Sequence, residues 1–207
     1  FAAYAAKTHG CHVTATTISR EQYRITQQRV REAGLGDRIE VLFRDYRELQ
    51  GQFDKIVSIE MFEAVGHEFH DEFFAVCGER LRPGGQMLMQ TITIAEDRYE
   101  AARGQTDFIQ RYIFPGGALP SNSSLARSIA RSGSLDLLNS QEIGPHYATT
   151  LRQWRERFDA ARDAVTRLGF GERFMRMWEF YLCYCEAGFR EGSVGTVHAL
   201  IERTAPR

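Results

Sequence analysis

An α/β architecture, with a parallel sheet and helices on both of its faces, is the reading that these 207 residues support. Three observations carry it. Short β-rich runs alternate with helical periodicity as far as about Thr93, as in successive βαβ units. The runs RIEVLF, FDKIVSI and QMLMQTI are apolar and hardly alternate, which fits strands buried on both faces. Polar and charged residues gather just past the strand ends, in TTISREQ, FRDYREL and SIEMFEAVG, where open α/β sheets bind ligands.

Element by element, FAAYAAKTHG reads as the last turns of a helix closing at Gly10, and CHVTATT as the strand that follows. SREQ opens a helix reaching about Gly34, with Ser19 as N-cap and Gln22 at the third position of a capping box. RIEVLF and FDKIVSI are the next strands. Phe69, Phe73, Val76, Cys77 and Leu81 share a helix face, and the turn LRPGG precedes the strand QMLMQTI. From 95 to 133 the alternation stops. FIQRYIFPGGALPS and LARSIARSG belong to a Pro/Gly-punctuated block without clear strands, and an insertion of that length is expected to be a substrate cap. SLDLLNSQEIG resumes the sheet. Leu151, Trp154, Phe158, Ala161, Val165 and Leu168 mark one face of a long helix, and Phe174, Trp178, Tyr181 and Cys185 mark a second helix. SVGTVHALIER closes as a strand. The expectation is a single domain over 1–207 with 95–133 as its cap.

Composition narrows the function. A chain 43% hydrophobic builds one sizeable core. The net charge of −1 and pI of about 6.7 give no global attraction to nucleic acid. No run approaches the roughly 18 apolar residues of a membrane span, and no signal peptide is visible, so a cytoplasmic protein is expected. Cys11, Cys77, Cys183 and Cys185 lack metal-ligand spacing; free thiols and no metal are expected. In LARSIARSGS, two arginines accompany Leu125 and Ile129, so this short helix would lie at an acidic lipid surface or present a solvated face.

The sharpest feature is SIEMFEAVG. Glu60 and Glu63 follow a buried strand, where unpaired charge is costly. An acid such as Glu63 also suits a helix start, ahead of EFHDEFF. Ser19 and Gln22 are accounted for by capping alone, and Asp45 and Tyr46 by a polar turn.

Together SREQ, DYREL, FDKIVSIEMFEAVG, LRPGG, FIQRYIFPGGALPS, HYATTLRQW and GERFMRMWEFYLCYCEAGFR resemble the cyclopropane-fatty-acyl-phospholipid synthase family, which includes the mycolic acid cyclopropane synthases. The resemblance runs from about residue 12 to the C-terminus. It implies a Rossmann-like class I methyltransferase sheet with a cap inserted after the fifth strand. It also implies transfer of a methyl from S-adenosylmethionine to the double bond of an unsaturated phospholipid acyl chain, then proton loss to close a cyclopropane. The family's first strand and glycine-rich cofactor loop would lie upstream of Phe1, so the chain corresponds to the C-terminal two-thirds of such an enzyme.

Residue by residue, the resemblance places Thr17, Ile18, Ser19 and Gln22 along the ribose and methionine side of the cofactor, and Asp45 and Tyr46 at its adenine. Glu63 would help hold a bicarbonate ion acting as general base, together with the Gln90 side chain, the backbone at Ile92 and the Tyr147 hydroxyl. Glu60 would face the cofactor side or solvent. Several family members carry histidine at the position of Gln90. Cys185 matches a cysteine sometimes named as nucleophile, but its helix face suits core packing. The implied partners are unsaturated phospholipid acyl chains at the inner membrane face, and a homo-oligomer stays open. Rival readings are a fatty-acid C-methyltransferase leaving a methyl or methylene branch, a small-molecule N-methyltransferase, and an inactive fragment.

Overall fold

Gly10 ends the first helix because the chain turns there through φ 66°, a left-handed conformation cheap only for glycine. That helix, α1 (Ala2–His9), begins a computed structural model that describes residues 1–204; the last three residues of the expected 1–207 domain lie outside it. The chain divides into two compact units, Phe1–Gly51 and the remainder from Gln52.

In the first unit α1 is followed by β1 (Val13–Thr17), α2 (Arg20–Glu32), β2 (Ile39–Phe43) and a 3-10 turn, Tyr46–Glu48. β1 and β2 run parallel, from Val13 opposite Ile39 to Thr17 opposite Phe43. Ala6, Val30 and Ile39 form the core beneath them. Ser19 caps α2 by accepting from the Gln22 backbone N–H at 3.3 Å. The reciprocal half of the expected box is replaced: the Gln22 side chain accepts from the Thr17 hydroxyl at 2.8 Å.

The second unit contains β3 (Phe53–Ile59), α3 (His70–Arg80), β4 (Leu81–Ile94), α4 (Glu96–Arg103), a π-helical turn (Ile109–Ile113), α5 (Asn122–Arg131) and β5 (Leu135–Glu142). Then come α6 (Gly144–Ala160), α7 (Arg162–Arg167), α8 (Glu172–Arg190) and β6 (Val194–Arg203). The sheet order is β3-β4-β6-β5. β3 and β4 are parallel, whereas β6 inserts antiparallel to both β4 and β5. The sheet is therefore mixed, where sequence predicted a parallel one.

Alternation along β4 sends side chains to opposite faces. Met87, Met89, Thr91 and Thr93 are buried, paired with Ile201, Ala199, Val197 and Gly195 of β6; α3 lies against β4 and α5 against β5. Gln90, Ile92 and Ile94 face the other way, toward α6 and α8, where Ile92 and Val194 pack on the cluster of Leu151, Leu182 and Phe189.

Four sequence expectations are corrected. LRPGG lies within β4 rather than before it: the register slips between Phe53 opposite Leu81 and Lys55 opposite Gln86, and a Cβ on Gly85 would come within 2.7 Å of the Arg82 carbonyl. Burial on both faces fails along β3, the edge strand, where Val57 and Ile59 are exposed. The helix expected through Leu168 breaks at Ala161, whose φ −100° and ψ 9° leave the helical region. Helix α5 hides the face expected to meet lipid, because Leu125 and Ile129 are 2% and 1% exposed and Arg131 pairs with Asp71 at 3.1 Å.

Candidate functional site

β3 stops at Ile59, and the chain turns through Glu60 at φ 50°, the one non-glycine residue with positive φ among the described residues. Its N–H still donates to the Gln90 carbonyl at 2.9 Å, the last backbone rung of that ladder. A 3-10 turn, Phe62–Ala64, then returns Glu63 to the same strand end. Glu63 Oε1 accepts from the Ile92 N–H at 2.6 Å and from the Thr91 hydroxyl at 3.0 Å. A carboxylate thus takes the donor that β3 would have paired had it continued.

Glu63 is buried, and its second oxygen, Oε2, has no hydrogen-bond partner among the described residues. Burial holds its carboxyl above the ordinary range, against the Ile92 and Thr91 hydrogen bonds, with the Glu60 charge adding to the rise. Its carbonyl also receives the Ala118 N–H at 2.8 Å, which ties the 95–133 segment to this turn.

The opposite face of β4 carries a second cluster. Gln90 Nε2 donates to Glu60 Oε1 at 2.7 Å and lies 3.0 Å from the Tyr147 hydroxyl, while Gln90 Oε1 lies 2.8 Å from His198 Nε2. A carboxylate only accepts, so Glu60 fixes which way the amide points, and the amide oxygen in turn fixes His198 Nε2 as a donor. Tyr147, near the start of α6, is held by stacking on Phe189 at 5.0 Å. Tyr181 and Cys185 flank this cluster from α8, and burial pushes them up to about 12 and about 11. A thiol so raised is protonated at neutral pH, which fits packing rather than nucleophilic attack.

The expected quartet therefore lies at one strand end but on two faces: Glu63 and the Ile92 backbone form one part, Gln90 and Tyr147 the other. Thr91 and His198 complete the two clusters. His198 was invisible in sequence because only the antiparallel insertion of β6 sets it opposite Gln90.

The first unit holds the remaining candidates. Thr17, Ser19 and Gln22 are linked, since the Ser19 N–H donates to the Thr17 hydroxyl at 3.1 Å, and Ile18 beside them is 72% exposed. Asp45 caps the Tyr46–Glu48 turn and forms a two-pronged ion pair with Arg47, both contacts 2.9 Å. That guanidinium holds its carboxyl below the usual carboxylate range. The Arg47 guanidinium also lies 5.7 Å from the Tyr46 ring centre. Among the described residues no group of His, Cys, Asp and Glu is placed to hold a metal, and no helix is long and apolar enough to cross a membrane.

The mixed sheet with helices on both faces matches the Rossmann-like class I methyltransferase fold of the solved structures it resembles. A mycolic acid cyclopropane synthase solved with SAH and CTAB superposes with a TM-score of 0.88 at 29% identity, covering 97% of this chain and 73% of that one. The model of the mycolic acid cyclopropane synthetase family matches residues 1–199, and the chain belongs to that family. It is 44% identical over 201 residues to a tuberculostearic acid methyltransferase of Mycobacterium tuberculosis, covering 97% of this chain and 47% of the relative. It is 38% identical over 189 residues to the cyclopropane-fatty-acyl-phospholipid synthase of Escherichia coli K12, covering 90% and 46%. The chain thus spans about half the length of the curated relatives it matches.

Proposed function

We propose that the protein to which this chain belongs transfers a methyl group from S-adenosylmethionine to the double bond of an unsaturated lipid acyl chain. Family membership supports the reaction class, and one observation carries the chemistry: a buried carboxyl with a free oxygen, Glu63 Oε2, at the carboxyl end of a sheet strand. Methylation of an alkene leaves a carbocation, which must then lose a proton. Residues that accept or relay a proton are therefore needed, whereas a thiol nucleophile is not.

The residues fit the two implied small molecules. For S-adenosylmethionine, which supplies the electrophilic methyl, the Thr17, Ser19 and Gln22 side chains offer polar contacts to ribose hydroxyls and the methionine end, beside Ile18. Asp45 would accept from the adenine amine and Tyr46 would pack on the ring. For bicarbonate, Glu63, whose buried carboxyl keeps a proton to higher pH than usual, would in its protonated form donate from Oε2 to the anion and so remove the repulsion between two negative charges. The Tyr147 hydroxyl would add a second contact. The Ile92 N–H is already engaged by Glu63, so its part is to orient that carboxyl rather than to touch the anion. Residues 95–133 serve as the substrate cap of a single methyltransferase domain, anchored to the Glu63 carbonyl through Ala118.

Glu60 favours a second reading of the base. Its carboxylate lies beside the Gln90–Tyr147 pair and would itself take the proton. The relative named a tuberculostearic acid methyltransferase makes a branched outcome the companion proposal to a cyclopropane. Lipid mass analysis of cells expressing the full-length protein tests both. A gain of one CH₂ in monounsaturated chains is expected; resistance of the product to hydrogenation identifies a ring, and uptake of hydrogen identifies a methylene branch. No added CH₂ in any lipid would overturn the proposal.

A further inference from the structure

The loop between α7 and α8 reads Leu168-Gly169-Phe170-Gly171, and it exposes apolar surface. Leu168 is 75% exposed and Phe170 44% exposed. A lone exposed leucine needs no explanation. Here, however, a glycine at φ 94° presents it at the tip of a helical hairpin, and the tip is braced. Phe170 packs on Phe174 at 4.4 Å, Phe174 stacks on Trp178 at 5.6 Å, and Trp178 meets Tyr181 at 5.1 Å. This ladder runs from the tip along α8 to the half-buried Tyr181, which feels the Glu60 charge.

The charges around the tip are one-sided. Arg167 closes α7, and Arg173 and Arg176 stand one turn apart at the start of α8, all three exposed and without an ion-pair partner among the described residues. Farther down the hairpin Arg162 pairs with Asp159 and Glu179, and Arg155 with Glu186, while Arg152 and Arg157 of α6 have no ion-pair partner among the described residues. Glu172, in the first turn of α8, is the acid next to the tip.

We infer that this tip is the surface by which the protein docks on an anionic phospholipid bilayer, with Leu168 and Phe170 inserted at the headgroup level and Arg167, Arg173 and Arg176 against lipid phosphates. Exposed aliphatic and aromatic groups ringed by unpaired cations match that interface in both hydrophobicity and charge. Helix α5, for which sequence left a lipid surface or a solvated face open, has its apolar side in the core. The inference rests on the proposed lipid substrate, and it gives that substrate a route: an acyl chain leaving the bilayer would meet the Phe170–Phe174–Trp178–Tyr181 ladder on its way to Glu60.

Flotation of the full-length protein with vesicles tests it. Vesicles of equal parts phosphatidylglycerol and phosphatidylcholine should carry the protein, and pure phosphatidylcholine vesicles should carry far less. Loss of each arginine should weaken binding about fivefold, so the Arg167→Gln/Arg173→Gln/Arg176→Gln variant should bind about 100-fold more weakly at low salt. Leu168→Ser/Phe170→Ser should also release the protein, with Leu168→Gln alone as the milder variant should the double change fail to fold. The arginine variant and Leu168→Gln should retain turnover on acyl chains presented in detergent micelles. Wild-type binding that ignores phosphatidylglycerol, or folded tip variants that bind as wild type, would overturn the docking surface. Absence of methyl transfer in micelles and vesicles alike would instead overturn the lipid reading while leaving vesicle binding to be scored by itself.

Discussion

The Gln90 amide nitrogen lies 2.7 Å from a Glu60 carboxylate oxygen, and Glu60 reaches it from a left-handed backbone position, φ 50°. That conformation costs an L-residue roughly 1–2 kcal/mol, so a glycine would be better tolerated there. Comparing Glu60→Ala with Glu60→Gly isolates the backbone cost, since both lose the contact to Gln90. Glu60→Gly should be the more stable by about 1 kcal/mol, a rise of about 2–4 °C in melting temperature for a chain of this size. Equal melting temperatures would show that Glu60 sits there without strain.

His70 is buried, its ring 4.2 Å from that of Phe62, and its Nε2 lacks a partner among the described residues. Burial, aided by the neighbouring His67, lowers it from 6.5 to about 4. The sign follows from linkage: the unfolded chain binds a proton below about 6.5 that the folded chain refuses until about 4. Stability due to His70 is therefore full above that window and falls as the pH drops through it. His70→Phe, which keeps a planar ring against Phe62, should flatten the melting temperature between pH 7 and pH 4. A pH dependence unchanged by the substitution would assign acid sensitivity to other groups.

Asp45 has a structural duty and a proposed binding one. It caps the Tyr46–Glu48 turn through the Arg47 N–H and pairs with the Arg47 guanidinium. Asp45→Ala in the full-length protein should weaken S-adenosylmethionine binding by about 1–3 kcal/mol, the usual cost of leaving a partner unsatisfied. Asp45→Asn keeps an oxygen for the Arg47 N–H and should separate the turn from the cofactor. Calorimetry reads both; wild-type affinity in Asp45→Ala would remove this residue from the adenine site.

Local chemistry was legible in the sequence, and non-local pairing was not. Ser19 announces a helix start because an N-cap is settled within one turn, and Gly10 announces a stop for the same reason. The strands at Val13, Ile39, Phe53 and Val194 were visible as β-rich runs. The insertion of β6 between β4 and β5 is a long-range choice, and with it went the contact of His198 with Gln90. The break at Ala161 was hidden because Val165 and Leu168 continue the apolar period beyond it. Arg127 and Arg131 drew attention to α5 as a lipid face, yet a sequence pattern cannot tell which surface the apolar side of a helix meets.

Cys185 offers a direct test of the nucleophile reading. Burial pushes its thiol up to about 11, and it packs with Tyr181 and Trp178 against Leu182. Cys11 and Cys183, both exposed, should react first with a thiol reagent. Cys185→Ala should keep most of the turnover, with a modest loss of stability from the missing sulfur. Abolished turnover in a folded Cys185→Ala protein would restore a chemical role for the thiol.

The proton-removal step is the most informative target, because two carboxyls compete for it. Glu63 is buried and held protonated beyond the ordinary range, while Glu60 is exposed and bonded to Gln90. If bicarbonate on Glu63 and Tyr147 is the base, Glu63→Gln should lower turnover by about 10²–10⁴-fold, the usual contribution of general-base catalysis, with cofactor affinity near wild type. Tyr147→Phe keeps the stack on Phe189 and should fall less steeply. Carbonate-free buffer should slow the wild type and barely change either variant, and Gln90→His should remain active. If Glu60 is the base, carbonate depletion should leave the wild type unaffected and Glu60→Gln should show the loss. Stability separates Glu63 further. Its raised carboxyl disfavours the fold increasingly as the pH climbs from its unfolded value of 4.5, so the melting temperature of Glu63→Gln relative to wild type should improve from pH 4 to pH 8. Normal turnover of Glu63→Gln in carbonate-free buffer would reduce Glu63 to a residue that closes the strand end through Ile92.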